Sequence, residues 1–230
     1  MRMDPTPGPG EAKSQTVATY EVIRREILAG RLPPAQRLKI ATLCERLGVS
    51  LGVVREALSR LSAEGLVIAE PQRGFQVSPI SREDLIDLGT MRVEIESVCL
   101  RRAIERGDLA WESRLVAAFH QLSGTPERVA EDTDLLNPQW TVAHGGFHEA
   151  LVQACGSQRL LTLRRSLYEQ AERYRHLSAQ SVPSRDVDAE HRRIFEATMA
   201  RDAATAVGLI ARHIQDTTES LLETPLKRVG

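Results

Sequence analysis

The chain has 230 residues, 42% hydrophobic and 27% charged, a globular composition long enough for one large or two ordinary domains. No apolar run approaches bilayer-crossing length, and the N-terminal stretch MRMDPTPGPGEAKSQ lacks the apolar core of an export signal, which predicts a cytoplasmic protein without membrane contact. Cys44, Cys99 and Cys155 are far apart and form no C-x-x-C pair, which argues against a disulfide framework and a zinc–cysteine site. The net charge of −1 hides an asymmetry, because residues 1–78 hold 11 Lys+Arg against 8 Asp+Glu and residues 79–230 hold 19 against 23. A mildly basic head on an acidic body suits a nucleic-acid-binding module joined to something else.

Residues 1–14, rich in Pro, Gly and charge, predict a flexible arm. Val17, Tyr20, Ile23, Ile27 and Leu28 then form one apolar helical stripe, stopped by Gly30. A second short helix fits IATLCERLG, and Ser50 can cap a third, LGVVREALSRLSAEG, whose Val54, Ala57, Leu58 and Leu61 face inward. LVIAE and FQVSPI, joined by PQRG, predict two short strands with a wing-like turn. The expected fold is mainly α: a winged helix-turn-helix of three helices plus a β-hairpin over 15–79, then an all-α bundle over 80–226. Its helices are expected at 82–106, 109–123, 137–154, 158–178, 186–201 and 203–223, with no strand among them. P-loop, G-x-G-x-x-G, G-x-S-x-G and internal repeats are all absent.

The run LCERLGVS…VVREALSRLSAEGLVIAEPQRGFQV resembles the DNA-binding head of the GntR family of bacterial transcription regulators. That resemblance implies a third helix in the major groove of an operator duplex, presenting Ser50, Leu51, Gly52, Arg55 and Ser59, with Arg55 the base reader. Arg37, Lys39 and Arg60 are placed for phosphates, and Arg73 and Gly74 at the wing tip for the minor groove or backbone. The plain alternative is that these arginines solvate a helical surface. Where most members have S-R-T-P-V-R-E-A-L, this chain has SLGVVREAL, so Leu51 replaces an arginine and Val53 a proline.

LGTMRVEIESVCLRRAIERG, FHEALVQACGSQRL and EHRRIFEATMARDAATAVGLIARHI resemble the effector domain of the FadR subgroup, the FCD fold. In many such domains one Asp and three His bind a divalent metal. The three histidines map onto His148, His191 and His213, and the aspartate position onto His144. Four imidazoles suit Zn or Ni, but losing the carboxylate leaves a dication uncompensated until an anion arrives. A metal-free, hydrogen-bonded histidine pocket is the alternative, and His120 and His176 receive no role. Arg92, with Glu96 four residues on, matches an arginine that in relatives holds the carboxylate of a small organic acid, with Tyr168, Tyr174 and Arg175 lining the same cavity. The plain alternative there is an exposed Arg–Glu pair. The His in the aspartate slot and the altered S-R-T-P segment resemble regulators of the CsiR/GlaR type, which respond to glutarate-type dicarboxylates.

These readings predict a homodimeric transcription repressor, not an enzyme, tuned by an organic acid and a divalent metal. Two other functions stay open on the sequence. One is a metal-dependent hydrolase, opposed by Val152 standing where H-E-x-x-H needs its second histidine. The other is a DNA-binding protein whose body only dimerises.

Overall fold

Apolar residues repeating at helical intervals in the first eighty positions converge on one small core. Ile23 and Ile27 of α1 (Pro9–Leu28) and Val54, Leu58 and Leu61 of α3 (Leu51–Ala63) are fully buried, with Leu43 of α2 (Ile40–Leu47) beside them. Each such side chain contributes about 1.5–3 kcal/mol by leaving water, so packing, rather than intrinsic propensity, holds these short helices. The computed structural model describes residues 9–71, 73–129, 132–177 and 185–223, and the chain divides into two compact units between Ser81 and Arg82.

Gly48, in the left-handed conformation at φ 65°, ends α2, and Ser50 caps α3 by accepting from Val53 N–H. The wing is an antiparallel pair, β2 (Val67–Glu70) and β3 (Gly74–Val77), whose turn closes at Glu70↔Gly74. Gly74 has φ 90°, a conformation glycine adopts without steric cost. A third strand that the sequence did not predict, β1 (Arg37–Leu38), pairs with the far edge of β3. Two residues carry no readable period. The first helix also begins earlier than expected: residues 9–14 are helical, since Pro is tolerated at a helix start and Glu, Ala, Lys and Gln favour continuing it. Residues 1–8 of the expected arm lie outside the described residues.

The second unit consists of α4 (Arg82–Arg106), α5 (Leu109–Ser123), α6 (Pro138–Val152), α7 (Gln158–Leu177), α8 (Val187–Met199) and α9 (Ala203–Glu223). Leu100, Trp111, Leu115, Phe147, Leu151, Ile194, Ile210 and Ile214 form its apolar core. Helices α4 and α7 run antiparallel, so Arg164 meets Glu96 and Tyr174 meets Asp84. One correction concerns the stretch between α5 and α6, which holds a two-stranded hairpin, β4 (Arg128–Val129) and β5 (Asp132–Leu136), with an irregular register. β4 has only two residues, and the DTDLL of β5 does not alternate apolar with polar positions, so neither gives a period to read. The predicted break at Val182, Pro183 and Ser184 lies outside the described residues. No helix among them is long and apolar enough to cross a membrane.

Gly107, just after α4, faces the fully buried Trp111, whose indole N–H donates to Ala150 O at 2.8 Å. A Cβ on Gly107 would lie 2.0 Å from that ring. Gly107→Ala is expected to destabilise this unit by about 1–3 kcal/mol through overpacking, read as a lowered urea midpoint. An unchanged midpoint would mean the ring shifts without cost.

Candidate nucleic-acid face and histidine centre

In α3, helical spacing sorts the residues cleanly. Val53, Val54, Ala57, Leu58 and Leu61 are buried, and Leu51, Gly52, Arg55, Glu56, Ser59 and Arg60 are exposed. Leu51, 52% exposed, presents its methyl groups to solvent. The Ser50 hydroxyl is engaged in the helix cap. Arg60 pairs with Glu56 at 3.1 Å, and Arg37 stands 4.0 Å from Glu70. Lys39, Arg73 and Gly74 are exposed, the last two at the wing turn. Every position expected to face DNA is therefore on the surface except for the oxygen used as the cap.

In the second unit, α6 brings His144 and His148 together, α8 brings His191 and α9 brings His213. All four are buried, and one ligand atom from each lies within 4.8 Å of the others. The Nε2 atoms of His144 and His148 are 3.2 Å apart, close to the separation of two nitrogens each about 2.0–2.1 Å from one tetrahedral zinc. His213 Nδ1 donates to Glu190 Oε2 at 2.8 Å, leaving Nε2 as its lone-pair atom. Both nitrogens of His191, and Nδ1 of His148, are buried without a hydrogen-bond partner. Unsatisfied buried polar atoms are costly, and an ion accepting one lone pair from each ring removes part of that cost, so the donor set fits a divalent metal.

Electrostatics favours neutral imidazoles. Burial, then Arg175 and the neighbouring rings, holds the His144 pKa well below 6.5, and burial, then His213 and His191, does the same at His148. Burial and His213 depress His191, while at His213 burial outweighs the opposing hydrogen bond to Glu190. Burial pushes Glu190 upward, but hydrogen bonds from His213 and Arg185 outweigh it and hold its carboxyl at about 2. Neutral imidazole is the form that binds metals.

Beside the histidines lies a cluster of buried charge. Arg92 Nη2 is 3.7 Å from Glu96 Oε1, and Arg164 Nε donates to the same oxygen at 2.9 Å. Both guanidinium carbons sit over the Tyr168 ring, at 5.3 and 4.7 Å, and the Tyr168 hydroxyl reaches His144 Nδ1 at 2.9 Å. Arg175 pairs with Glu172 at 3.3 Å and touches His144. Arg92 Nε, Arg164 Nη2 and Glu172 Oε2 lack partners. Glu96, expected to touch an effector, is an acceptor-only carboxylate holding two arginines, which makes it a positioning residue. Tyr174 is not brought to the histidines, because its hydroxyl donates to Asp84 in the first turn of α4. Sequence reasoning missed Arg164, Glu172, Glu190 and Arg185. Arg164, Tyr168 and Arg175 share one helical stripe, a spacing that could have revealed Arg164.

Comparison with known proteins gives these sites a context. The family model of bacterial regulatory proteins, gntR family, matches residues 15–77, and that of the FCD domain matches residues 87–216. The uncharacterized HTH-type transcriptional regulator BphR of Paraburkholderia xenovorans is 42% identical over 92% of this chain and 87% of its own. The HTH-type transcriptional repressor GlaR of Escherichia coli is 32% identical over 85% and 90%. A crystal structure of a GntR regulator from Rhodococcus sp. RHA1 superposes with TM-score 0.72 at 26% identity, covering 91% of this chain and 98% of that one. A winged head with its groove face exposed and a helical body enclosing a histidine centre thus have one common explanation: the chain belongs to the GntR family of bacterial regulatory proteins, FadR subgroup, with an FCD domain, and is a DNA-binding transcriptional regulator rather than an enzyme.

Proposed function

We propose that the protein is a cytoplasmic, homodimeric repressor whose hold on its operator is set by a divalent metal and a small organic acid bound together in the helical domain. The observation that carries this is the set of four buried, neutral imidazoles converging within 4.8 Å, several of their nitrogens unpartnered. Zinc suits an all-nitrogen donor set, and nickel is the next candidate. A bound dication supplies fixed positive charge and an open position for an anionic donor. Arg92, Arg164 and Arg175 already outnumber Glu96 and Glu172 around Tyr168, so the loaded centre calls for an anion. A carboxylate fits the Arg92 fork, and a second carboxylate would offset more of the excess, which favours a dicarboxylate. The relative GlaR is a transcriptional repressor, which supports repression here. Metal and acid act on DNA binding to the extent that they favour one arrangement of the paired heads over another.

Thermal shift of chelator-stripped protein tests the reading: zinc with one of malonate, succinate or glutarate should raise the midpoint beyond zinc alone. Arg92→Ala should abolish the acid's increment. A body that only dimerises would respond to neither. In the head, Arg55→Ala should cost about 1–3 kcal/mol of operator binding and relax selectivity at one base. Lys39→Ala should weaken all duplexes uniformly and flatten the salt dependence. Leu51, in the family's arginine slot, is suited to a thymine methyl, so an operator selected by this protein should carry thymine where an arginine reader would take guanine.

A further inference from the structure

Arg175 stands where a loaded histidine centre would least tolerate it. Its Nη1 lies 3.2 Å from His144 Nδ1 and 3.4 Å from Nε2. Its guanidinium carbon is 5.8 Å from the centre of the Trp140 ring, which stacks on His144 at 4.5 Å. On its other side it pairs with Glu172 and lines a cavity bounded also by Arg92, Gly89 and Thr218. That cavity has room for about one water, at about 10 Å³. One side chain thus fills the space beside Arg92 and also presses on the histidine that replaces the family's aspartate.

Near-equal distances to the two nitrogens of one ring place Nη1 over the face of the His144 imidazole, off the in-plane axis of either lone pair. The in-plane position at Nδ1 belongs to the Tyr168 hydroxyl. What the Arg175 contact sets is charge. A guanidinium is a cation that only donates, so a positive charge rests against the ring that would have to share its electrons with a dication, and in a buried site like charges at this range oppose each other strongly.

We propose that Arg175 is a latch: its charge against the His144 ring opposes a dication at the centre, and an acidic ligand releases it by drawing the guanidinium onto a carboxylate. Arg175 is in this sense a positioning residue that makes metal and acid binding mutually dependent, each raising the other's affinity by the same factor. The space vacated by the guanidinium enlarges the cavity beside Arg92, so the same movement opens room for the acid. This inference rests on the metal reading above.

Calorimetric titration of zinc into the stripped full-length chain tests it. Arg175→Met should bind zinc about 5–150-fold more tightly than the parent, the usual range of a coupling. Equal or weaker binding by the variant overturns the latch while leaving the metal reading standing; no zinc binding by either protein overturns both. With acetate, succinate or glutarate present, zinc affinity of the parent should tighten for at least one acid, and that of Arg175→Met by a smaller factor. No tightening with any of the three overturns the acid's part. The acid titrations of the parent protein give a reading independent of the variant's folding.

Discussion

Acidifying the stripped protein below pH of about 6.5 should destabilise the helical domain steeply. His144, His148 and His191 are held neutral by burial with pKa values well below 6.5, and His213 is depressed as well. In the unfolded chain each titrates near 6.5. Below that pH the unfolded state binds protons that the folded state refuses, so stability is fully present above about 6.5 and is lost as pH falls toward the folded values. Each group contributes about 1.4 kcal/mol per pH unit, or about 4 kcal/mol for three across the first unit. Zinc opposes the loss by mass action, by about 4 kcal/mol at a thousandfold excess over its Kd. Urea midpoints across this window in chelator and in zinc provide the check, and a flat profile in chelator would show the rings to be solvated. His191→Leu sharpens the point. His191 has no hydrogen bond to lose, so the variant should be at least as stable as the stripped parent and lie lower in acid sensitivity, yet gain less from zinc.

Arg164→Met should be the most damaging single change in the arginine cluster. Glu96 is 2% exposed, and its close partner is Arg164 at 2.9 Å, with Arg92 at 3.7 Å. Removing one partner from a buried ion pair leaves an uncompensated charge and costs about 3–5 kcal/mol. Adding Glu96→Gln should recover part of the loss, because the neutral amide no longer demands a cation. Denaturant midpoints of the single and double variants measure this. A loss below about 1 kcal/mol would place the pair in the class of solvated surface bridges.

The helices of the second unit were legible because long 3.6-residue periods run between Gly and Pro breaks: α4, α5 and α9 begin and end where the pattern does. Of the elements that escaped, β1 and β4 have two residues each, and β5, DTDLL, lacks the apolar–polar alternation of a strand. Within the site, the four histidines could be read because their spacing matches a family pattern. Of the buried charges, Arg164 could be reached only through the stripe it shares with Tyr168 and Arg175, while Glu172 looks like a solvent-facing residue of a polar helix. Only the antiparallel packing of α7 on α4 buries them. Tyr174 shows the opposite failure. At about 100° per residue, Arg164, Tyr168 and Arg175 fall on one stripe, whereas Tyr174 lies on another face and reaches Asp84 instead. Helix geometry alone could have separated the two tyrosines.

The central claim is that occupancy of the helical domain sets the grip of the winged head on DNA. Fluorescence anisotropy of a duplex selected by the full-length protein from random DNA tests it most directly. The protein would be titrated in chelator, then with zinc, then with zinc and each of malonate, succinate and glutarate. At least about a fivefold change in Kd is predicted for zinc with one of these acids, and its loss in Arg92→Ala. A DNA affinity that no combination of metal and acid alters would contradict the account.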